Sequence, residues 1–424
     1  MEALQRRPGL MNGPPSETAI PAAPDSKPPA SEPRVLRPRR AAPADIVRQT
    51  RAEVFLDALR HNLRVVQKHA GSSKVWGVLK ADGYGHGAPA VARTLERSGI
   101  DGFCVALLEE GIELREAGIR TPILVMGGYY GTAHAEVLAR KLVPVVYDIG
   151  QVEAFARVVR AGDVPGPVDV HLKVDTGMSR LGVMPEELPA FIEKLAAFPE
   201  IRVTGFMTHL AQADAADDEP TSDQLARFDA ASAMLTARGL TPQVRHAANT
   251  AALLRGRGLY DAVRPGIALF GVAPSLVGEH DPLSRELRPA MRVRTELVAV
   301  RDVPAGTGVG YGALFRPARA SKIATIPMGY ADGLSRQLSN RGFVLVRGKR
   351  APIVGAVSMD MAMIDVTDVP GVSLRDEVVV LGAQEGPLGK DAITAPEVAG
   401  QSDSIAWEIL TSISRRVPRF YREP

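Results

Sequence analysis

The sequence predicts an α/β chain in two parts, a (β/α)8 barrel of the TIM type followed by an all-β domain. Three observations carry this. Eight short apolar runs alternate with segments of helical periodicity between residues 74 and 271. The alternation stops near residue 285, after which short strand-like runs follow one another with turn residues between them. Polar residues and glycines gather at the C-terminal ends of the apolar runs, where a barrel places its chemistry. An open doubly wound sheet is the structural alternative, and the count of eight favours closure.

Residues 1–47 are rich in Pro, Ala, Ser and Arg, as in Pro28-Pro29-Ala30-Ser31-Glu32-Pro33, and are expected to be a disordered tail. Arg6 and Arg7 are not followed by the apolar stretch that an export signal needs. The barrel is expected over 48–285 and the β-rich domain over 286–424. Residues 53–56 read as a short strand, and Asp57 as the cap of a helix carrying Leu59, Leu63 and Val66 on one face. Barrel strands are predicted at 74–80, 102–107, 122–127, 143–148, 168–175, 202–209, 243–248 and 262–271. Amphipathic helices are predicted at 88–98, 108–117, 133–141, 152–160, 186–197 and 224–237. In the second part, strands are predicted at 293–300, 322–327, 343–347, 352–357, 362–366 and 377–381.

Composition narrows the function. A chain of 424 residues, 45% hydrophobic, is enough for two domains with proper cores. No run of about 18 apolar residues is present, so no membrane partner is expected. The single cysteine, Cys104, lies in an apolar run and can form no intrachain disulfide, which fits a reducing cytoplasm. The first 50 residues carry eight Lys/Arg against five Asp/Glu, which accounts for the whole net charge of +3. The rest is neutral and gives no reason to expect nucleic acid. No metal site is expected.

The richest stretch is Val75-Trp76-Gly77-Val78-Leu79-Lys80-Ala81-Asp82-Gly83-Tyr84-Gly85-His86-Gly87. A lysine ending a strand that is apolar on both faces must reach water or do chemistry. In a partly apolar pocket its pKa falls, and it becomes a nucleophile able to form a Schiff base. The glycines behind it let backbone N–H groups approach an anion such as phosphate. A Schiff-base lysine beside an anion cradle suggests pyridoxal phosphate.

Other strand ends are equally polar. Lys173 and Asp175 end the fifth, His209 the sixth; Asn249 and Thr250 follow the seventh, and Arg264 sits on the eighth. Any one of these reads as a satisfied buried group, but their coincidence at one end of the barrel does not.

The stretch Val78-Leu79-Lys80-Ala81-Asp82-Gly83-Tyr84-Gly85-His86-Gly87 resembles the cofactor-lysine signature of the alanine racemase family. Later motifs follow in that family's order from about residue 50 onward. The resemblance implies a pyridoxal-phosphate barrel, a β-rich domain with which 53–56 pairs, a homodimer, and L-/D-alanine interconversion that supplies peptidoglycan. By resemblance, Lys80 is the cofactor lysine and one catalytic base, and Tyr84 contacts phosphate. Lys173-Val174-Asp175-Thr176-Gly177-Met178-Ser179-Arg180 resembles the segment whose arginine reaches the substrate carboxylate and whose lysine is often carbamylated. His209 matches the histidine stacked on the pyridine ring. His246-Ala247-Ala248-Asn249-Thr250 matches a phosphate-binding segment. Arg264 faces the pyridine nitrogen, with the amides of Gly266 and Ile267 on the phosphate.

An arginine at that nitrogen has a physical meaning. It donates hydrogen bonds only and leaves the nitrogen unprotonated. The ring is then a weaker electron sink, which favours simple return of a proton over transamination. Racemisation also needs a second acid/base group on the opposite face. Tyr311 in Gly308-Val309-Gly310-Tyr311-Gly312 matches the family's second base, which acts across the dimer interface. Its pKa must fall from about 10, and His209 and Arg264 are expected to help lower it. Tyr330 and Met359 match partner-side residues at the substrate path and substrate carboxylate, with Asp360 beside Met359. Arg415 stands where some members carry a phosphate-binding tyrosine, which leaves substrate breadth open.

Three alternatives stay open at this stage. A broad-specificity amino acid racemase differs only in its pocket. A fold-related decarboxylase of basic amino acids shares the barrel and lysine but typically needs a catalytic cysteine in the second domain, and Cys104 lies in the barrel. A non-catalytic pyridoxal-phosphate carrier usually lacks the β domain.

Overall fold

The computed structural model describes residues 48–128, 131–162, 164–274 and 285–423. The tail expected over 1–47 lies outside them.

The first strand, β1 (Arg51–Phe55), runs directly into a helix, Leu56–Ala70, whose buried face includes Leu59, Leu63 and Val66 as predicted. Asp57 is not its cap: the N-cap position is Phe55, two residues earlier, and Asp57 lies in the first turn. There its charge still favours the positive end of the helix dipole.

Eight parallel strands follow: β2 (Lys74–Val78), β3 (Gly102–Val105), β4 (Ile123–Val125), β5 (Val143–Val146), β6 (Val168–Lys173), β7 (Ile201–Met207), β8 (Val244–His246) and β9 (Ala262–Val263). They close into a barrel, with β9 pairing back onto β2 through Lys74↔Ala262 and Val75↔Val263. Helices cover its outside, so its strands are buried on both faces and read as unbroken apolar runs. Trp76, His171 and His246 meet inside the barrel, with ring centroids 5.0–5.9 Å apart. Gly205 makes room for them, because a Cβ there would collide with the His171 ring.

The eighth strand is much shorter than the predicted 262–271. It stops at Val263, and Ile267–Phe270 forms a 3-10 turn instead. Pro265 has no N–H to continue the ladder, although its carbonyl still accepts from Val78 N–H at 2.8 Å. The apolar run itself does not distinguish a strand from a buried turn. Three predicted helices also shift: Ile149–Arg160 and Glu219–Ala237 begin earlier than predicted, and Leu188–Leu195 is shorter.

The second part is a ten-stranded sheet containing β10 (Met291–Glu296), β11 (Ala299–Val303), β12 (Ser321–Ile326), β13 (Phe343–Val346), β14 (Lys349–Val354), β15 (Ala362–Asp365), β16 (Glu377–Gly386), β17 (Gly389–Ile393) and β18 (Arg419–Arg422). The predicted strand 293–300 is two strands, β10 and β11. Leu297 and Val298 turn aside between them, to bond the carbonyls of Asp376 and Thr325. The sequence reading also passed over two short helices, Ala395–Gln401 and Ala406–Ser412.

The tenth member of the sheet is β1, which lies antiparallel to β10 and parallel to β18. Glu53 on β1 is 5% exposed and meets Arg292, Arg294 and Arg422. Removing that carboxylate would leave three arginines short of a partner, a loss of about 3–5 kcal/mol when a partly buried network is broken from one side. No described helix is long and apolar enough to cross a membrane.

Candidate active site

The polar residues of the barrel gather just beyond its strands rather than on them. Lys80 comes two residues after β2, Asp175 and His209 two residues after β6 and β7, and Arg264 directly after β9. Lys173 is the last residue of β6.

The chain leaves β2 in an unusual conformation. Ala81, Asp82, Gly83 and Tyr84 all have φ between 52° and 61°, a short left-handed turn. Only glycine accepts this readily, and each of the other three costs roughly 1–2 kcal/mol. The turn is held by Gly83 N–H to Leu79 O, Gly85 N–H to Ala81 O and Gly87 N–H to Asp82 O, at 2.8–2.9 Å. Asp82 Oδ1 accepts from Ala88 N–H at 2.9 Å. Lys80 is exposed at the barrel mouth. Surrounding protein still displaces enough water to lower its pKa. The Arg180 charge lowers it further, while Glu110 opposes the shift.

Tyr84 is buried, with its ring 5.0 Å from that of Phe270 and its hydroxyl against Gly266. Burial raises its pKa, so it stays a protonated donor. A Cβ at position 266 would collide with that hydroxyl, which explains the glycine. Gly266 N–H donates to Thr250 Oγ1 at 3.0 Å. Neither hydroxyl proton has an acceptor among the described residues. The Asn249 side chain, by contrast, is committed to capping the short helix Thr250–Leu254 through Ala252 N–H at 3.0 Å. Ile267 is fully buried at the start of the 3-10 turn.

Arg264 is 2% exposed. Its Nη1 donates to His246 Nδ1 at 2.8 Å, and its Nη2 meets Thr208 O at 2.8 Å, Ala247 O at 3.0 Å and His209 Nδ1 at 3.2 Å. Burial pulls its pKa down to about 10, so it keeps its charge at neutral pH. The Nε–H of Arg264 has no partner among the described residues. His209 is neutral: desolvation, then the charges of Arg264, Arg180, Lys173 and Lys80, push its pKa well below the usual value.

Lys173 is buried, and its pKa falls to about 8 through desolvation and the charges of Arg180 and Arg264. Asp175 organises the next loop, with Oδ1 accepting from Gly177 and Met178 N–H at 2.9 and 2.8 Å and Oδ2 from Arg180 N–H at 3.0 Å. Burial alone would raise its pKa, but the backbone N–H groups outweigh it and the net shift is downward. The Arg180 side chain is exposed at the mouth.

The remaining candidates lie on the β domain. Tyr311 is 75% exposed, Tyr330 44% and Met359 52%. Within one chain, Tyr311 makes no hydrogen bond to His209 or Arg264 among the described residues. The Tyr330 and Met359 loops are tied together by Tyr330 N–H to Ser358 O and Ala331 N–H to Met359 O, at 3.0 and 3.1 Å. Asp360 pairs with Arg416 at 2.7 Å. The buried Asp332 beneath them takes Arg48 in a bidentate pair. Arg415 is exposed and makes no hydrogen bond or ion pair among the described residues.

Sequence reasoning missed several supporting groups. His171 donates or accepts at His246 Nε2 over 2.9 Å, extending the Arg264 chain into the barrel interior. A histidine inside an apolar strand was the available signal. Glu110 accepts from Leu107 and Ala106 N–H at 3.1 and 2.8 Å, and from Ala81 N–H at 2.6 Å. A glutamate three residues after a helix N-cap was the clue there. Arg419 ends the stretch Ile413-Ser414-Arg415-Arg416-Val417-Pro418-Arg419, which resembles the family's closing signature, but its backbone contacts leave no mark in the sequence.

Comparison with known proteins agrees with this architecture. The family model "Alanine racemase, N-terminal domain" matches residues 54–274, and "Alanine racemase, C-terminal domain" matches 290–421. The alanine racemase of Sorangium cellulosum is 60% identical over 385 residues, covering 89% of this chain and 100% of the relative. That of Halothermothrix orenii is 42% identical, covering 89% of this chain and 98% of the relative. Among solved structures, alanine racemase from D-cycloserine-producing Streptomyces lavendulae superposes with a TM-score of 0.83 at 33% identity, over 89% of this chain and 98% of that one. Alanine racemase from Bartonella henselae with covalently bound pyridoxal phosphate gives 0.78 at 30% identity, over 88% and 99%. With a closed barrel, an appended β sheet, and both domain models and full-length relatives matching across them, this chain belongs to the alanine racemase family.

Proposed function

We propose that this chain interconverts L- and D-alanine, with pyridoxal phosphate held on Lys80, in a homodimer that shares its two active sites. The observation that carries this reading is Arg264, a buried cation fixed by His246, His209 and two carbonyls with its Nε–H left over.

The residues present fit that cofactor. Tyr84 and Thr250 bring unspent hydroxyl protons to either side of Gly266, a donor pair suited to a phosphate. Of the two amides the resemblance assigns to phosphate, Gly266 N–H is spent on Thr250 Oγ1 and serves by aiming that hydroxyl, which leaves Ile267, while Asn249 serves by capping the helix. Lys80, Gly266 and Arg264 follow β2 and β9, which are neighbours in the closed barrel. Pyridoxal phosphate, when bound, draws electrons from the substrate α-carbon and acidifies its C–H bond. Arg264 would hold the pyridine nitrogen, and because a guanidinium only donates it would leave that nitrogen unprotonated. His209, held by Arg264, would pack against the ring.

Lys80 Nζ removes or returns the proton on one face of the α-carbon, and its lowered pKa suits it to both tasks. On the other face the proton moves through the hydroxyl of Tyr311 from the second copy. The exposure of Tyr311, Tyr330, Met359 and Leu314 on one domain supports burial there against a partner. Arg180 takes the substrate carboxylate, aided by the Met359 amide, and Tyr330 lines the approach. Asp360 holds the Met359 loop through Arg416. Lys173 is neutral in about one molecule in ten at pH 7 given its pKa. In that form its amine adds carbon dioxide and releases a proton, and the resulting carbamate steadies Arg180. The single cysteine, kept reduced, suits a cytoplasmic setting.

The test is chiral chromatography of L-alanine, L-serine, L-lysine and L-arginine after incubation with the protein and pyridoxal phosphate. D-Alanine well ahead of the others is the expected result. Comparable D-lysine or D-arginine would mean that Arg415 leaves a wide pocket. Amine products without any D-isomer would overturn racemisation in favour of decarboxylation.

A further inference from the structure

Lys80 owes its place to a turn that its own residues disfavour. Ala81, Asp82 and Tyr84 are left-handed without being glycine. Such a turn persists only if its surroundings over-determine it. Two side chains from distant parts of the chain do so, one at each end.

At the start stands Glu110, on the helix Leu108–Glu116. One carboxylate oxygen accepts from Ala106 and Leu107 N–H, as an ordinary helix-start contact would. The other reaches across to Ala81 N–H at 2.6 Å, the residue next to Lys80. A cap needs only the first oxygen. The second joins the β3 loop to the turn and fixes the first left-handed peptide. At the far end, Arg419 Nε–H donates to Gly85 O at 2.8 Å, while its other nitrogens hold Ser414, Val417 and Ile413 carbonyls at 2.5–2.6 Å. The Leu410 carbonyl fills the space where a side chain at 85 would sit.

We propose that Glu110 is a positioning residue for Lys80: its second carboxylate oxygen, bonded to Ala81 N–H, aims the amine at the cofactor, with Arg419 bracing the turn from the β domain. This rests on the reading of Lys80 as the cofactor lysine. Glu110 also adds a negative charge near Lys80, against the positive charge of Arg180. Its loss therefore moves both the place of the amine and its readiness to lose a proton.

The experiment separates capture from binding. Borohydride trapping at timed intervals after addition of pyridoxal phosphate measures covalent attachment to Lys80, read by peptide mass. Pyridoxine 5'-phosphate, an alcohol that cannot bond to the amine, measures occupation of the phosphate cradle alone. In Glu110→Ala, capture is expected to slow by about tenfold to a hundredfold, while affinity for pyridoxine 5'-phosphate stays within about threefold of the parent. Glu109→Ala, next to it and exposed, is expected to change neither. Capture at the parent rate overturns the proposal. So does an equal loss of capture and of pyridoxine 5'-phosphate binding, which would make Glu110 merely structural. Should Glu110→Ala not fold, Glu110→Gln decides, since it keeps one accepting oxygen for two sets of N–H groups. Slower capture with binding retained supports the proposal, and the parent rate overturns it. If the parent itself acquires no cofactor on Lys80, the proposed function fails instead.

Discussion

Arg264 donates to His246 Nδ1 at 2.8 Å, and His246 Nε2 lies 2.9 Å from His171 Nδ1. The guanidinium can only donate, so His246 carries its proton on Nε2 and passes it toward His171. Both imidazoles are neutral, held so by desolvation first and the Arg264 charge second. This has a consequence for acid stability. The folded pKa is about 3 for His171 and, through burial, about 4 for His86. Unfolded, each takes a proton below about 6.5. The unfolded state therefore binds more protons between those limits, and stability falls as pH drops through them. Each histidine contributes up to about 1.4 kcal/mol per pH unit. Denaturant melts from pH 7.5 to 4.5 should show a steep loss below 6.5, with His171→Gln giving a shallower slope. An unchanged slope in the variant would remove His171 from this account.

Gly266→Ala tests the phosphate cradle. The new methyl would collide with the Tyr84 hydroxyl. Displacing that ring from a packed site costs about 1–3 kcal/mol. Cofactor affinity should fall by about tenfold or more, since two hydroxyl donors move apart. Fluorescence titration with pyridoxal phosphate measures this directly, and unchanged affinity would place the phosphate elsewhere.

Shared sites make a prediction that a one-chain site does not. Lys80→Ala and Tyr311→Phe should each be severely impaired as homodimers, and in Tyr311→Phe solvent deuterium should still exchange without inversion into the one enantiomer whose α-hydrogen faces Lys80. When the two variants are co-expressed with different tags, the purified hybrid dimer has one intact site and one doubly altered site. It should recover about half of the parent rate. Hybrids no more active than the variants would mean that Lys80 and Tyr311 serve the same site within one chain.

Asp175→Ala should unfix Arg180 while sparing the cofactor. Three backbone N–H groups lose their acceptor, and the loop that aims the guanidinium loosens. The expected signature in steady-state kinetics is a KM for alanine raised about tenfold with a smaller fall in kcat. A fall confined to kcat would point to the proton-transfer groups instead.

Much of this site is legible in the sequence because a parallel barrel leaves little freedom. Its strands must be apolar on both faces, so Lys80, Lys173, His209 and Arg264 stand out at the ends of such runs. What escaped notice acts through the backbone. Glu110 looks like any surface glutamate until its oxygen is seen on Ala81 N–H, and Arg419 until its nitrogen is seen on Gly85 O. The overlong eighth strand has the same origin. Ile267-Ala268-Leu269-Phe270 is apolar whether it forms a strand or a buried 3-10 turn, and only Pro265 hints that the ladder ends.

The pairing of β1 with β18 places the beginning and end of the described chain side by side, Ala52 against Arg419. During synthesis the barrel strands emerge early, and each can settle on its neighbour in turn. The first strand has no such option on one of its edges: its parallel neighbour, β18, is made long after it. Arg419 belongs to that same late strand, and it is also the residue that grips Gly85 beside the lysine turn. Until β18 is made, the turn that carries Lys80 lacks the Arg419 contact to Gly85 O. One short strand, β18, thus closes the edge of β1 and braces the Gly85 end of the lysine turn, so the sheet and the turn are completed together.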